Sequence, residues 1–275
     1  MKIPLEDTYA DILSKARRGL GLDLDTLSAR AGVPSALANQ ILGGSFDEPG
    51  VRALAAALDL HPDRVAAIGR TDYRPAELPL MDGLSQFNTP FQDMTVNSYL
   101  VWDPAGKKAV AFDTGADCDG MLEAIAAHGL ELEIILLTHA HGDHILELDR
   151  LREKTGARAW IGEKEPVDGA ESFAVGKTFG VGALSIESRL TWGHSPGGIT
   201  YVVHGLARTL AIVGDAIFAG SMGGGGVSYD DALKTNRESI FSLPDETVLC
   251  PGHGPLTTVG EQKRVNPFFP DLGKE

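Results

Sequence analysis

The amino-acid sequence predicts a layered α/β domain preceded by a small all-α domain. Apolar residues recur at helical spacing up to about residue 70, whereas short runs rich in β-branched residues alternate with helical stretches from about residue 94 onward. Alternating strands and helices favour sheets that are covered by helices. The predicted division is a helical domain over 1–70, a proline-containing linker over 71–80 and an α/β domain over 81–275.

The composition is that of an ordinary globular protein, with 43% hydrophobic and 23% charged residues among 275. The net charge of −14 opposes general nucleic-acid binding, because affinity for phosphates depends on cationic contacts. No run approaches the roughly 20 apolar residues of a membrane span. Early acidic residues argue against a signal peptide, and two distant cysteines argue against a disulfide framework. We therefore expect a cytoplasmic protein with no membrane partner.

The helical domain is expected to contain a helix in each of its apolar-periodic stretches. Pro34 precedes one stretch, and the pair Gly43-Gly44 ends it, which are typical start and stop signals. The predicted helices cover 5–18, 24–31, 35–42, 51–58 and 62–68.

Residues 27–41 resemble the helix-turn-helix of small repressor-like domains, with Gly32 in the turn and 35–42 as the recognition helix. That helix contains no Lys or Arg, and residues 1–74 hold nine Lys/Arg against ten Asp/Glu. DNA binders usually present a basic surface, so DNA is a disfavoured partner, although Asn39 and Gln40 could read adenine edges. We predict instead that the domain mediates homo-oligomer formation or covers the mouth of the site described below. Its small and apolar positions, expected to be exposed, suit protein packing; they are Ala36, Leu37 and Ala38.

The second domain begins with a predicted hairpin, whose strands at 94–102 and 108–113 flank a turn at 103–106. A helix at 121–128 and a buried strand at 134–137 follow. The remaining predicted strands are 157–161, 171–177, 184–190, 199–203, 210–213 and 248–249, with a helix at 230–241.

A cluster of possible metal ligands lies between the strand predicted at 134–137 and the helix that follows it. His139, His141, Asp143 and His144 lie there within a stretch of six residues. Neutral imidazole and carboxylate are good ligands for divalent zinc, iron or manganese, and a turn can aim alternate side chains at one point. The spacing therefore predicts a metal site.

Three further groups follow predicted strands, and they complete a recognisable order. They are His194 in Thr-Trp-Gly-His-Ser-Pro-Gly-Gly, Asp215 in Val-Gly-Asp-Ala-Ile-Phe-Ala-Gly-Ser, and His253 in Cys-Pro-Gly-His-Gly-Pro. With the His-x-His-x-Asp-His motif they resemble the metallo-β-lactamase fold superfamily, and within it the hydroxyacylglutathione hydrolases, also called glyoxalase II. The resemblance covers about residues 80–270 and implies an αββα sandwich for the α/β domain.

The resemblance also implies two adjacent divalent ions, zinc first, with iron or manganese as alternatives. The first ion is assigned His139, His141 and His194, the second Asp143, His144 and His253, and Asp215 bridges them. Asp143 and Asp215 are thereby the catalytic residues. The resemblance further implies that Asp113 and Thr138 orient ligating imidazoles, and that Phe218 lies at the substrate.

By the same resemblance, the chain is expected to hydrolyse a small thioester or ester by means of a hydroxide that bridges the two metals. Three alternatives stay open: a mononuclear iron persulfide dioxygenase with the same seven side chains, a metabolite-sensing DNA-binding regulator, and a lactonase. Lactonases of the superfamily tend to place Tyr where this chain has Phe218. A run of four glycines at 223–226 replaces the polar loop of glyoxalase II, which weakens the expectation of glutathione recognition.

Overall fold

The computed structural model describes residues 3–273 and contains two six-stranded sheets that lie face to face. The helices are α1 (Tyr9–Gly19), α2 (Leu24–Ala31), α3 (Ser35–Leu42), α4 (Glu48–Ala57), α5 (Pro62–Gly69), α6 (Asp119–His128), α7 (Gly142–Ile145), α8 (Leu148–Thr155), α9 (Tyr229–Ser239) and α10 (Val259–Val265). The strands are β1 (Leu84–Phe91), β2 (Met94–Trp102), β3 (Lys108–Phe112), β4 (Glu131–Leu136), β5 (Arg158–Gly162), β6 (Ala170–Phe173), β7 (Thr178–Val181), β8 (Leu184–Leu190), β9 (Ile199–His204), β10 (Leu210–Gly214), β11 (Val248–Pro251) and β12 (Thr257–Thr258).

The strand directions bring several carboxyl ends to one edge of the molecule. In the first sheet, ordered β1-β2-β3-β4-β5-β6, strands β3 to β6 are parallel. In the second sheet, ordered β12-β11-β10-β9-β8-β7, β10 and β11 are parallel and β9 is antiparallel to both β8 and β10. Strands β8, β10 and β11 therefore run the same way, and the loops that follow them lie together.

The two faces of each sheet bury different side chains, because neighbouring residues in a strand point to opposite sides. In β9, Tyr201 and Val203 belong to the core between the sheets, whereas Val202 belongs to the core outside the second sheet. On the outer face of the first sheet, Ile135 and Met121 belong to a core formed with α6 and α8. This arrangement gives helix, sheet, sheet and helix layers.

The helical region, defined as α1 to α5, is part of the outer layer over the second sheet. Ile12 and Leu13 are fully buried, and they belong to the same hydrophobic cluster as Val213, Ile217 and Phe269. Polar contacts join the same parts of the chain: the His61 backbone N–H donates to the carbonyl of Pro267 at 2.9 Å. The helical region is thus continuous with the outer core, and the division at residue 70 stays a prediction from the sequence.

Several predicted elements are confirmed to the residue, namely α2, α3, β2 and β8. The first helix is not, because it begins at Tyr9 instead of residue 5. The Thr8 hydroxyl accepts a hydrogen bond from the Asp11 backbone N–H, and the Asp11 carboxylate accepts one from the Thr8 N–H. This capping box fixes the start of the helix, so residues 4–7 lie outside it.

Other differences have local causes. Strand β1 was not predicted, because its residues are half-buried on both faces and give no alternation of polar and apolar side chains. The strand predicted at 171–177 is shorter: β6 ends at Phe173, residues 174–177 are not in a strand, and β7, which begins at Thr178, belongs to the other sheet. The expectation that Ala38 is exposed was wrong, since it packs in the core, whereas Ser35, Ala36, Asn39 and Gln40 form the exposed face of α3.

No helix among residues 3–273 is both long enough and apolar enough to cross a bilayer.

Arg64 provides a test of how firmly the helical region is attached. Its guanidinium donates to three backbone carbonyls of the C-terminal segment, those of Asn266 (2.9 Å), Phe269 (3.0 Å) and Leu272 (2.7 Å). Arg64→Ala should lower the free energy of unfolding by about 2 to 3 kcal/mol, because hydrogen bonds from a charged donor are lost and carbonyls are left without partners. The shared core should keep unfolding a single transition, measurable by denaturant titration. Arg18→Ala, at an exposed position of α1, is the control. Equal effects of the two substitutions would show that Arg64 does not stabilise the attachment of the helical region.

Candidate metal centre

The seven predicted ligands lie in loops at the edge where the strand ends meet. His139 and His141 follow β4, and Asp143 and His144 lie in α7. The other three follow strands of the second sheet: His194 after β8, Asp215 after β10 and His253 after β11. The structure therefore brings all seven side chains together, from four separate parts of the sequence.

One set consists of His139, His141, His194 and Asp215. The Nδ1 atom of His141 lies 3.0 Å from His139 Nε2 and 3.1 Å from His194 Nε2. Asp215 Oδ2 lies 3.3 Å from His194 Nε2 and 4.0 Å from His139 Nε2. These atoms surround one point from four directions.

The second set consists of Asp143, His144 and His253, with Asp215 on its boundary. Asp143 Oδ2 lies 3.3 Å from His253 Nε2 and 3.6 Å from His144 Nε2. Asp215 reaches this set as well, with Oδ1 at 3.4 Å from His144 Nε2 and Oδ2 at 3.5 Å from His253 Nε2. Asp215 therefore lies between the two sets.

These separations fit divalent metal ions. Bonds of about 2.0 to 2.1 Å in a tetrahedral site place the ligand atoms about 3.3 to 3.4 Å apart, close to the distances in both sets. Two of the buried atoms, His144 Nε2 and Asp215 Oδ1, have no hydrogen-bond partner among residues 3–273. Buried polar atoms are rarely left unpaired, so these two atoms indicate that a cation, either a metal ion or a proton on the imidazole, belongs between them.

Hydrogen bonds fix the direction of the imidazole rings. The Nδ1–H groups of His144, His194 and His253 donate to the Asp113 carboxylate (2.8 Å), the Gly224 carbonyl (3.0 Å) and the Thr95 carbonyl (2.7 Å), respectively. In the neutral ring each acceptor keeps the proton on Nδ1, so that the Nε2 lone pair faces the centre.

Asp113 and Thr138 together support the first two loops. Thr138 donates to Asp113 through its backbone N–H (2.7 Å) and its hydroxyl (2.8 Å), and the hydroxyl oxygen can then accept from His139 Nδ1 at 2.9 Å. Asp113 has a φ of 54°, a left-handed conformation that is costly for a residue other than glycine. Such strain is retained where the surroundings demand it, and here it aims the carboxylate at both His144 and Thr138.

Neighbouring charges set the protonation of the metal-free centre. For His144 and His253, burial favours the neutral ring, but Asp113 and Asp215 beside His144, and Asp215 and Asp143 beside His253, outweigh it and raise the pKa to about 10 and about 11. Burial alone would raise the pKa of Asp215, but the two imidazoliums hold that pKa well below the usual range. Protons on His144 and His253 thus balance the carboxylates when no metal is bound.

Glu165 was missed by the sequence reasoning, although it joins both halves of the first set. Its buried carboxylate accepts hydrogen bonds from the Ala140 backbone N–H (2.9 Å), the Ser195 hydroxyl (2.5 Å) and the Gly197 N–H (2.6 Å). It thereby ties the loop of His139 and His141 to the loop of His194. Glu165 follows β5 with no motif around it, and its partners are mostly backbone groups, so the sequence carried no signal for it.

The centre leaves no room for a side chain at position 252. A Cβ atom on Gly252 would lie 2.2 Å from Asp215 Oδ1 and 2.6 Å from His144 Cε1. The glycine of the Cys-Pro-Gly-His sequence therefore allows the β11 loop to close against the Asp215 carboxylate.

Phe218 lies beside the centre but is only 2% exposed. Its ring centroid is 5.6 Å from that of His253, and the Lys15 ammonium lies 4.9 Å from it on α1. Direct contact of Phe218 with a substrate stays a prediction. The three remaining histidines, His61, His128 and His204, lie outside the two sets.

Comparison with known proteins places this architecture in context. The family model described as "Metallo-beta-lactamase superfamily" matches residues 92–253. The hydroxyacylglutathione hydrolase GloC of Haemophilus influenzae is 28% identical over 206 residues, which cover 66% of this chain and 94% of that protein. The crystal structure of ETHE1 from Myxococcus xanthus matches with a TM-score of 0.60 at 27% identity, covering 70% of this chain and 86% of that one. The structure of TTHA1623 in a di-iron-bound form matches with a TM-score of 0.54 at 26% identity, covering 66% and 99%.

Glu165→Gln should weaken metal binding by the first set by roughly 10- to 100-fold, the range typical of residues that orient ligands. The amide cannot accept from all three donors, so one ligand loop must move. Metal titration of the variant measures this. Glu163→Gln is the matched control, because Glu163 is exposed in the same loop. An unchanged affinity in Glu165→Gln would show that the loops hold their positions without it.

The pH dependence of metal uptake follows from His144 and His253. Their raised pKa values keep both rings protonated near neutral pH, whereas an ion needs both Nε2 lone pairs, so uptake by the second set should release two protons. The apparent affinity for that ion should therefore fall about 100-fold for each unit of acidification between about pH 6 and pH 8. Titrations of the metal-free protein in weak buffer with an indicator dye would measure both quantities. An affinity independent of pH would contradict the protonation state described above.

Proposed function

The chain belongs to the metallo-beta-lactamase superfamily, and from that premise we propose that it is a hydrolase that holds two divalent metal ions and cleaves a small thioester or ester. The observation that carries the proposal is the position of Asp215, whose carboxylate oxygens lie within 3.3–4.0 Å of imidazole nitrogens from both ligand sets. Zinc is the proposed metal, because three of the four groups in the first set are imidazoles.

Each set supplies what one ion requires. His139, His141 and His194 would hold the first ion, Asp143, His144 and His253 the second, and Asp215 both. When bound, such a pair supplies Lewis-acid polarisation of a carbonyl and a water of lowered pKa, which replaces a side-chain nucleophile. Asp143 and Asp215 then offset part of the charge of the two cations, and Asp113, Thr138 and Glu165 keep the ligands in place.

The substrate has one open direction of approach. His141 is exposed and the His194 side chain is 20% exposed, whereas the side chains of the other ligands are at most 13% exposed. The scissile carbonyl should therefore enter beside His141 and His194, over the first set. The glycine run at 223–226 borders this entrance, since the Gly224 carbonyl accepts from His194.

A small acyl group suits this entrance better than a large one held by side chains. The glycines offer backbone atoms but no side chains to grip a glutathionyl group. Likeness to GloC, a protein named as a hydroxyacylglutathione hydrolase, supports acyl transfer to water as the reaction class. We therefore propose a thioester or ester hydrolase that recognises its substrate mainly through the acyl part.

The exposed face of α3 indicates whether the chain binds DNA or a second copy of itself. Its exposed residues, Ser35, Ala36, Asn39 and Gln40, carry no charge, so the face lacks the cations that phosphate contacts require. This favours contact with a second copy of the chain over DNA, and we propose a homo-oligomer on that ground. A metabolite-sensing DNA-binding regulator is the competing proposal.

Elemental analysis of the purified protein, combined with hydrolysis of a small acyl thioester, tests the proposed function. Two metal ions per chain and measurable hydrolysis are expected, and His139→Ala should lose most metal and nearly all activity. His204→Ala is the control, because His204 is exposed on β9 and outside both sets. A single iron per chain with no thioester hydrolysis would favour the persulfide dioxygenase, and full activity in His139→Ala would refute the ligand assignment.

A further inference from the structure

The helical region contributes one anchor to the loop that follows Asp215. The ammonium of Lys15, on α1, donates to the backbone carbonyl of Met222 at 2.9 Å. Met222 belongs to no helix or strand, and it directly precedes the glycine run at 223–226. The family model matches residues 92–253, so this anchor comes from outside the matched region.

The position of Lys15 is itself well fixed. Its neighbours in α1, Ile12 and Leu13, are fully buried in the core outside the second sheet. The ammonium also donates to the Asp7 carboxylate at 2.5 Å, and that carboxylate accepts from the Ser221 hydroxyl as well. The side chains of Lys15 and Asp7 are only 15% and 7% exposed, so water competes little for these bonds.

The glycine run contacts two of the metal ligands through its backbone. The Gly223 N–H donates to the Asp215 carbonyl at 3.0 Å, and the Gly224 carbonyl accepts from His194 Nδ1 at 3.0 Å. A Cβ atom on Gly223 would lie 2.0 Å from the Asp215 carbonyl oxygen and 2.9 Å from His194 Nδ1, so this glycine lies between the two ligands. The orientation of the His194 imidazole therefore depends on the position of the glycine run.

Four glycines do not hold one conformation without outside contacts, because glycine has more backbone freedom to lose than any other residue. At the far end of the run, the N–H groups of Val227 and Ser228 donate to the Gly193 carbonyl at 2.9 Å and 3.0 Å. Gly193 belongs to the same loop as His194. At the near end, Lys15 holds Met222. Lys15 thereby supplies a fixed point that does not belong to the His194 loop.

We propose that Lys15 is a positioning residue for the first metal ion: through Met222 it fixes the Gly224 carbonyl, and that carbonyl keeps the Nε2 atom of His194 directed at the ion. This inference rests on the proposed function, because that ion is part of the proposed two-metal centre. The charge of Lys15 has the opposite effect, since a nearby cation repels a metal ion. Loss of the ammonium therefore strengthens metal binding if charge decides the outcome and weakens it if position does.

Zinc titration of the metal-free proteins at one fixed pH tests the proposal in Lys15→Met, Lys15→Arg and Arg64→Ala. Methionine keeps a stem of similar length but has no donor, whereas arginine keeps both the charge and the donors. Arg64→Ala is the matched control, because it removes a different attachment of the helical region, one that does not touch the loop after Asp215. If the unpaired Asp7 prevents Lys15→Met from folding, the double variant Lys15→Met/Asp7→Asn removes that charge too, and the same result is expected.

In Lys15→Met, zinc should bind the first set roughly 10- to 100-fold more weakly, the range typical of residues that orient ligands, whereas Lys15→Arg and Arg64→Ala should keep the wild-type affinity. In the zinc-saturated proteins, NMR should show faster exchange with water for the Nδ1 proton of His194 in Lys15→Met, with the Nδ1 protons of His144 and His253 unchanged. These ring signals also identify which set each zinc ion occupies.

Unchanged or tighter zinc binding in Lys15→Met would overturn the proposal. So would an equal loss of affinity in Arg64→Ala, or equally faster exchange at all three rings, because either result would show a general loss of stability instead of a displaced ligand. Neither measurement uses hydrolysis. A wild-type protein that binds zinc but cleaves no thioester would contradict the proposed function and leave this test as it stands.

Discussion

The buried carboxylate of Asp215 is the group on which the arrangement of its neighbours depends. It is 8% exposed, and one of its oxygens accepts no hydrogen bond. An anion so placed is stable only when cations surround it. Protonated His144 and His253 serve this purpose in the metal-free protein, and two metal ions would do so in the loaded one. The glycine at 252 follows from the same requirement, since any larger residue would occupy the space that Asp215 uses.

The sheet topology explains how distant residues meet around this carboxylate. Asp113, His139 and Glu165 follow successive parallel strands of the first sheet, β3, β4 and β5. The loops after β8, β10 and β11 supply the rest from the second sheet. Packing between the sheets fixes the positions of these strand ends relative to one another. Asp113 and Glu165 fix the loops that follow them. Rigidity of the centre thus comes from two carboxylates that hold the ligand loops without belonging to either ligand set.

The sequence was informative where several chemical groups are close together in the chain. His139, His141, Asp143 and His144 were recognisable on spacing alone, whereas His194, Asp215 and His253 needed the family resemblance to be joined to them. Glu165 could not be found, because it acts on backbone N–H groups that any sequence would provide. Glu6 was placed inside a predicted helix, although Thr8 and Asp11 form a cap that a closer reading of the sequence could have recognised. Strand β1 lacked alternation, so only its pairing with β2 identifies it.

The helical region contacts one of the loops at the centre directly. It shares a core with β10 and α9, and its Asp7 and Lys15 hold the loop between Asp215 and the glycine run. Any molecule that displaced α1 would therefore also release Ser221 and Met222, a few residues from Asp215. The exposed face of α3, in contrast, carries none of these contacts. Binding of a partner at α3 is thus compatible with an intact centre, whereas movement of α1 is not, and this difference separates the surface available for assembly from the surface committed to chemistry.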